Sequence, residues 1–168
     1  MLVFDLIERI QAVSPHAANV VLGQALPRII PLTGGLGMRV HEVTAERATA
    51  SLPLKRRTRN HVGSIYFGAQ MTLAEITMGL LVFRRYPPGP YSMLVKRVEA
   101  DFHAKAKGTL RAECDPGAEA LLALDTANVA PDGKAEAWLP VRLLDPTGAT
   151  VTEARFLCAL KRFANGAR

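Results

Sequence analysis

From Ser64 to Phe83 the chain carries a single formal charge, Glu75, among apolar and small residues. At about 1.5 Å per residue such a segment makes a helix of roughly 30 Å. A bilayer or the inside of a curled sheet could enclose it. A central acid costs about 2.5–3.5 kcal/mol in a bilayer. Gln70, the hydroxyls of Ser64, Thr72 and Thr77, and two glycines dilute the segment further. Basic residues flank both ends, Lys55-Arg56-Arg57 and Arg84-Arg85, so no sidedness emerges. The segment reads as a helix buried in protein, with no membrane partner.

The pattern on either side changes period. Leu2, Leu6, Ile7, Ile10 and Val13 fall on one helical stripe over 2–13. Ser14-Pro15 is a cap followed by a first-turn proline, opening a second helix to about Ala25 that Pro27 and Pro31 stop. These lead-in helices read as packing elements without chemistry. Alternation then predicts short strands over 38–43 and 47–54, with Pro53 placing the second near an edge or ending it early. Beyond Tyr86-Pro87-Pro88-Gly89-Pro90, strands are expected over 91–106 and 108–114 and a short helix over 117–128. In the first of these strands Met93, Val95 and Arg97 should face one way and Leu94, Lys96 and Val98 the other. Strands over 135–145 and 149–162, joined by Asp145-Pro146-Thr147-Gly148, form a hairpin. Strands grouped around one long helix imply an α+β domain, an antiparallel sheet curled about that helix.

At 168 residues the chain is read as one domain, 1–37 leading into a core over 38–163. The net charge of +6 favours anionic partners without naming them. Aromatic residues total 6% and none interleaves with the cations of Lys55–Arg59, so a nucleic-acid platform is not supported. Cys114 and Cys158 have neither CxxC spacing nor a histidine beside them and read as buried thiols of a reducing, cytoplasmic compartment. Asp5, Glu8 and Arg9 interrupt the first apolar residues, so no secretion leader is expected. The histidines are scattered and no metal site is expected.

Asn60, Gly63, Gly68, Thr72-Leu73-Ala74 and the acid Glu75 resemble the signature of hotdog-fold acyl-CoA thioesterases, nearest the phenylacetate-pathway branch. The stretch Ile30–Val40 is similar to a sub-branch catalogued only as a domain of unknown function. The resemblance spans about residues 28–163. Two positions depart from it. Tyr66-Phe67 stand where that branch has His-Gly, and Glu75 stands where it more often has Asp.

The resemblance implies a hotdog fold and a pocket built between two subunits of a homodimer, with pairing of dimers left open. It implies an acyl-CoA thioester substrate, coenzyme A entering only as part of that substrate and no separate cofactor. Glu75 would attack the thioester carbon or activate water for that attack. Asn60 would orient the substrate or the acid, and the helix start at Phe67 and Gly68 would face the developing oxyanion. Tyr66, Thr72, Gly63, Arg57 and Arg59 would contact substrate.

Read from the residues themselves, Gly68, Thr72, Glu75 and Gly79 share one helical face, while Leu73, Ile76, Leu80 and Phe83 form another suited to the sheet. The plainer alternatives stay open at this point. Glu75 could be a buried acid paired with an arginine or hydroxyl in a dimer interface. Tyr66 could be half-buried packing, and His61 a solvated loop histidine. Lys55–Arg59 could be a solvated loop, a clamp for coenzyme A phosphates or a nucleic-acid patch. Three functions compete: a thioesterase, a non-catalytic acyl-CoA-binding protein whose reactive end Tyr66-Phe67 have closed, and a structural dimer module.

Overall fold

The computed structural model describes residues 14–163; the helix expected over 2–13 lies outside them. Helix α1, Pro15–Ile29, opens where Ser14 Oγ accepts the Ala17 N–H and Pro15 fills the first turn. It does not stop near Ala25 but runs through Pro27. Proline forfeits one N–H, but Leu22 and Leu26 on the same face are buried, and the Ile30 N–H closes the turn onto the Leu26 carbonyl at 2.7 Å. Pro31 begins a short 3-10 turn, Pro31–Thr33, and there the helix ends.

Six strands follow the expected order: β1 Arg39–Val43, β2 Ala48–Leu52, β3 Tyr91–Phe102, β4 Leu110–Cys114, β5 Lys134–Leu144 and β6 Thr150–Arg162. All pairings are antiparallel, in the spatial order β1-β2-β4-β5-β6-β3, leaving an open sheet with β1 and β3 at its edges. Strand β2 stops before Pro53, as the imino acid dictates, but it is an interior strand buried on both faces. Strand β3 ends at Phe102 rather than 106. Residues beyond it leave the sheet so that the Ala106 carbonyl accepts the Ile65 N–H at 2.9 Å and the Ser64 hydroxyl at 3.2 Å.

Strand β3 also departs from simple alternation. Val95 pairs with Cys158 and Arg97 with Leu157, so Lys96 is an extra residue in a bulge. The phase resets there. Val98, opposite the buried Phe156, and Ala100, opposite Ala154, lie on the same face as Met93 and Val95, not on that of Leu94.

Helix α2, Phe67–Arg85, is the long central element. Leu73, Ala74, Thr77, Met78, Leu81 and Val82 are fully buried and pack it on β2, β4 and β5. Ile76, Leu80 and Phe83 are not on that face. They meet Leu22, Leu26, Ile29 and Ile30 at the end of α1, which therefore lines a seam instead of merely leading in.

Two polar ties hold the central helix. Gln70, 4% exposed, donates to the Ile65 carbonyl at 2.8 Å and accepts the Thr152 hydroxyl at 2.7 Å. At the other end Arg85 makes a forked pair with Asp125, the last residue of α3 (Gly117–Asp125), and the buried Tyr86 hydroxyl donates to the same carboxylate at 2.7 Å. Arg85 and then Tyr86 hold the Asp125 carboxyl below the ordinary aspartate value.

Replacing Gln70 by Ala strands a buried carbonyl and a buried hydroxyl together. The expected loss in urea denaturation is about 2–3 kcal/mol. Asp125→Asn removes a pair whose contribution exists only while the carboxyl is ionised. The stability difference between wild type and Asp125→Asn should be full above the ordinary aspartate pKa and shrink as pH falls through the depressed one. A pH-independent difference would show that Asp125 acts through packing alone.

Candidate active site

The loop from Asn60 to Ser64 is built on one side chain. Asn60 Oδ1 accepts the N–H groups of Val62 at 3.1 Å and Ser64 at 2.9 Å, while its backbone N–H meets the Ser64 carbonyl. Gly63 takes the left-handed φ of 75° that this tight loop requires. Asn60 therefore shapes the loop with its oxygen, and only its Nδ2 is left to orient another group. Thr58, fully buried, fixes the approach: its hydroxyl donates to the Pro53 carbonyl and accepts the Lys55 N–H, and its own carbonyl accepts the Tyr66 N–H at 2.7 Å.

Tyr66 is the N-cap of α2, with extended backbone (φ −60°, ψ 139°) and no side-chain cap bond. The first backbone N–H with a helical acceptor is that of Gln70, bonded to the Tyr66 carbonyl. Those of Phe67, Gly68 and Ala69 precede it and have no backbone acceptor among the described residues. They form the positive end of the helix. The Tyr66 ring lies across this start: a Cβ on Gly68 would sit 2.9 Å from its Cε1, so only glycine lets the ring approach. Phe67 is 56% exposed; its ring meets that of Tyr66 at a 55° tilt with centroids 4.8 Å apart, and lies edge-on to Phe102 of β3 at 6.5 Å.

Glu75 projects into the seam between α2 and α1, a narrow cavity of about 30 Å³ lined by Leu22, Leu26, Ile29, Ile30 and its helix neighbours Ile76, Gly79, Leu80 and Phe83. That is room for about one water molecule. Among the described residues no cation and no hydrogen-bond donor pairs with its carboxyl. Burial alone pushes its pKa above the ordinary glutamate value. The separation expected between the Glu75 face and that of Ile76, Leu80 and Phe83 is thus corrected: both line one seam with apolar residues of α1. Thr72 is committed nearby, its hydroxyl donating to the Gly68 carbonyl at 2.9 Å.

The acid and the helix start are eight residues apart on one rod, roughly 12 Å at about 1.5 Å per residue. One carbonyl cannot touch both within a chain. Arg57 and Arg59 are exposed; Arg57 folds back over Gly35, and Arg59 joins Ile65 in a backbone bridge. His61 is exposed in the loop. Among the described residues no three His, Cys, Asp or Glu side chains are grouped to hold a metal, and no helix is long and apolar enough to cross a membrane. Cys114 and Cys158 are free and buried, their thiols pushed up to about 12 by that burial.

Several residues around this site were not expected to matter. Gln70 could have been suspected as the one side-chain amide in the apolar segment. Phe102 and the α1 residues Leu22, Leu26, Ile29 and Ile30 gave no sequence signal, because only the fold brings them to the helix.

Residues 18–159 match the family described as Domain of unknown function (DUF4442). A Pseudomonas aeruginosa protein of unknown function, PA5026, described as a probable thioesterase, is similar in structure. It has 29% sequence identity and a TM-score of 0.75, over 84% of this chain and 95% of that one. Thioesterase PA1618 from the same organism, as a point mutant, superposes with a TM-score of 0.68 at 19% identity, over 84% and 93% of the two chains. No curated protein matches the sequence. The open six-stranded antiparallel sheet around one long helix and the match over most of its length agree: this chain is a hotdog-fold protein that belongs to the DUF4442 family.

Proposed function

We propose that this protein is an acyl-CoA thioesterase whose site is completed by a second copy of the chain. The observation that carries the reading is the Glu75 carboxyl, held without a charge partner among the described residues and raised in pKa on an apolar seam. A desolvated acid of this kind is a stronger base than one in water. The likeness to structures described as thioesterases supports the same class.

The reaction needs a negative group at the thioester carbon and N–H donors at its oxygen. Glu75 either attacks that carbon directly or takes a proton from a water that attacks it. The amides of Phe67 and Gly68 stabilise the oxyanion. On the water route the departing thiolate of coenzyme A takes the proton that Glu75 removed. On the direct route the water that then hydrolyses the acyl–Glu75 anhydride supplies it and frees the acid. Since one chain separates acid from amides by roughly 12 Å, the acid of one subunit works with the helix start of the other.

The edge strand β3 offers the surface for that pairing. It bonds only to β6, and Val95, Val98 and Phe102 on its helix side are exposed beside Phe67. A long unpaired edge with apolar residues is a site for a second strand. Tyr66 and Phe67 then shape the acyl end of the pocket. A binding protein without turnover is the second reading, favoured by the Tyr66 ring lying over Gly68 and by the narrowness of the Glu75 seam.

Hydrolysis of a panel of aliphatic and aromatic acyl-CoAs, followed by free thiol release, tests the reading. Activity is expected in wild type and absent in folded Glu75→Gln; full turnover in that variant would remove Glu75 from the chemistry. The rate should rise with pH through an apparent pKa above the ordinary carboxylate range. Because the folded-state pKa is raised, the protonated acid is the better tolerated form. Wild type should lose stability relative to Glu75→Gln as pH rises from the ordinary glutamate value through the raised one.

A backbone test separates the donors from their side chains. Phe67→Pro deletes both the ring and the N–H at the first helical position, where proline is tolerated after an extended residue; Phe67→Ala deletes the ring and keeps the N–H. The proline variant should lose about 10²–10³-fold in kcat and the alanine variant far less. Co-refolding Phe67→Pro with Glu75→Gln should restore roughly a quarter of wild-type activity, since half of randomly paired dimers regain one intact site. No restoration in mixed dimers would place acid and amides in the same chain.

A further inference from the structure

On the sheet face away from α2, a cleft of about 670 Å³ is lined by Gly37, Met38, Arg39, His41, Ser51, Pro53, Lys55, Thr109 and Arg111, with no acid among them. The strand register makes it: Arg39 of β1 stands opposite Ser51 of β2, and Ser51 opposite Arg111 of β4, so two guanidinium groups flank one hydroxyl. The neighbouring row, Ala50 and Ala112, is buried toward the helix. His41 is the extra residue of a bulge in β1, between Val40 paired with Ala50 and Glu42 paired with Thr49. Bulges re-aim side chains, and this one swings the imidazole onto Ser51, Nε2 to Oγ 2.7 Å.

The charge in this cleft is not neutralised locally. Arg39 and Lys55 have no carboxylate partner among the described residues. Arg111 reaches Glu113 at 3.3 Å, but Arg47 and Arg142 share that same carboxylate at 3.5 Å each. That one anion is shared by three guanidinium groups, of which Arg47 also reaches Glu42 at 3.8 Å. Burial, followed by Arg111 and Arg39, lowers the His41 pKa, as expected beside uncompensated positive charge. The loop before β1 is also cut to fit the cations. Gly37 and Gly35 have φ of 73° and 79°, and any Cβ there would collide with the Lys55 ammonium and the Arg57 guanidinium respectively. Those two cations lie on the glycine loop, with Thr58 tying their segment to the start of α2.

We propose that this cleft is a binding site for the phosphate groups of a phosphorylated small molecule, held by Arg39, Lys55 and Arg111 with His41 and Ser51 at its floor. Guanidinium forks suit phosphate oxygens, and charge-assisted hydrogen bonds are the stronger kind. Coenzyme A is the source that the thioesterase reading supplies; that identification rests on the reading, whereas the anion site does not. The 53–66 loop begins in the cleft, at Pro53 and Lys55, and ends at the helix start, at Tyr66. A ligand with its phosphates in the cleft and its thioester at the helix start would follow that loop.

Titration calorimetry of the full chain at low salt, with inorganic pyrophosphate, 3′,5′-ADP, dephospho-coenzyme A, coenzyme A and vesicles containing phosphatidylglycerol, tests the proposal. Binding of coenzyme A is expected to weaken by about tenfold or more in Arg39→Gln/Lys55→Gln. It should stay within about twofold in the charge-matched control Lys134→Gln/Lys161→Gln. The control pair lies at the far end of β5, roughly 33 Å along the strand from the Arg111 pairing at about 3.3 Å per residue. If the first variant melts early, Lys55→Gln alone replaces it, since its ammonium makes no hydrogen bond among the described residues.

A wild type that binds none of the probes overturns the proposal. So does equal weakening in the control pair, or binding only to vesicles containing phosphatidylglycerol, which would make the cleft a lipid-headgroup site. Arg39-dependent binding of coenzyme A without hydrolysis of any thioester keeps the cleft and removes the enzyme. Hydrolysis with unchanged affinity in Arg39→Gln/Lys55→Gln does the reverse.

Discussion

The whole arrangement depends on burying one long, nearly uncharged helix against a sheet that cannot surround it completely. Leu73, Met78 and Leu81 commit one face of α2 to β2, β4 and β5. That burial is directional only because Gln70 and the Arg85–Asp125–Tyr86 cluster pin the two ends. Apolar contact alone would tolerate a slide or rotation of the rod; a buried amide with two fixed partners does not. The start of the helix, where the free amides lie, therefore inherits its position from β6 and the Ile65 loop.

The remaining faces follow from what the sheet leaves uncovered. Helix α1 closes one side and creates a narrow apolar seam, into which the only charge of the apolar segment projects. The side toward β3 stays open, with aromatic rings from the helix start and the strand meeting at its edge. The acid and the unpaired amides lie about 12 Å apart, too far for one carbonyl to meet both within a chain, which is why the proposed site draws on two. The same geometry becomes reasonable when two chains are apposed.

Much of this was legible in the sequence, and for stated reasons. The central helix, the hairpin of β5 and β6, and the strand order by type follow from period and turn chemistry, both of them local. The reading failed where tertiary contacts overrode local rules. Pro27 did not end α1, because Leu22 and Leu26 repay its missing bond by burial. Ile76, Leu80 and Phe83 were expected on the sheet, but the helix meets two partners and a linear pattern cannot say which stripe goes to which. Asn60 was read as orienting substrate or acid; that its oxygen also shapes the loop had no sequence signal. Of the basic cleft only Lys55 was flagged, as part of the Lys55–Arg59 run; Arg39 and Arg111 are brought to it by strand register and not by spacing.

The bulge at Lys96 has an implication for how this edge can change. One extra residue divides β3 into two stretches of opposite phase, so Leu94 points away from the core while Val98 and Phe102 return to it. Insertions or deletions of two residues preserve the pattern on both sides. A single one is admissible only by erasing or adding a bulge, and anywhere else it would exchange wet and dry faces for the rest of the strand. Length variation in relatives should thus be quantised here, while the loops on either side remain free to drift.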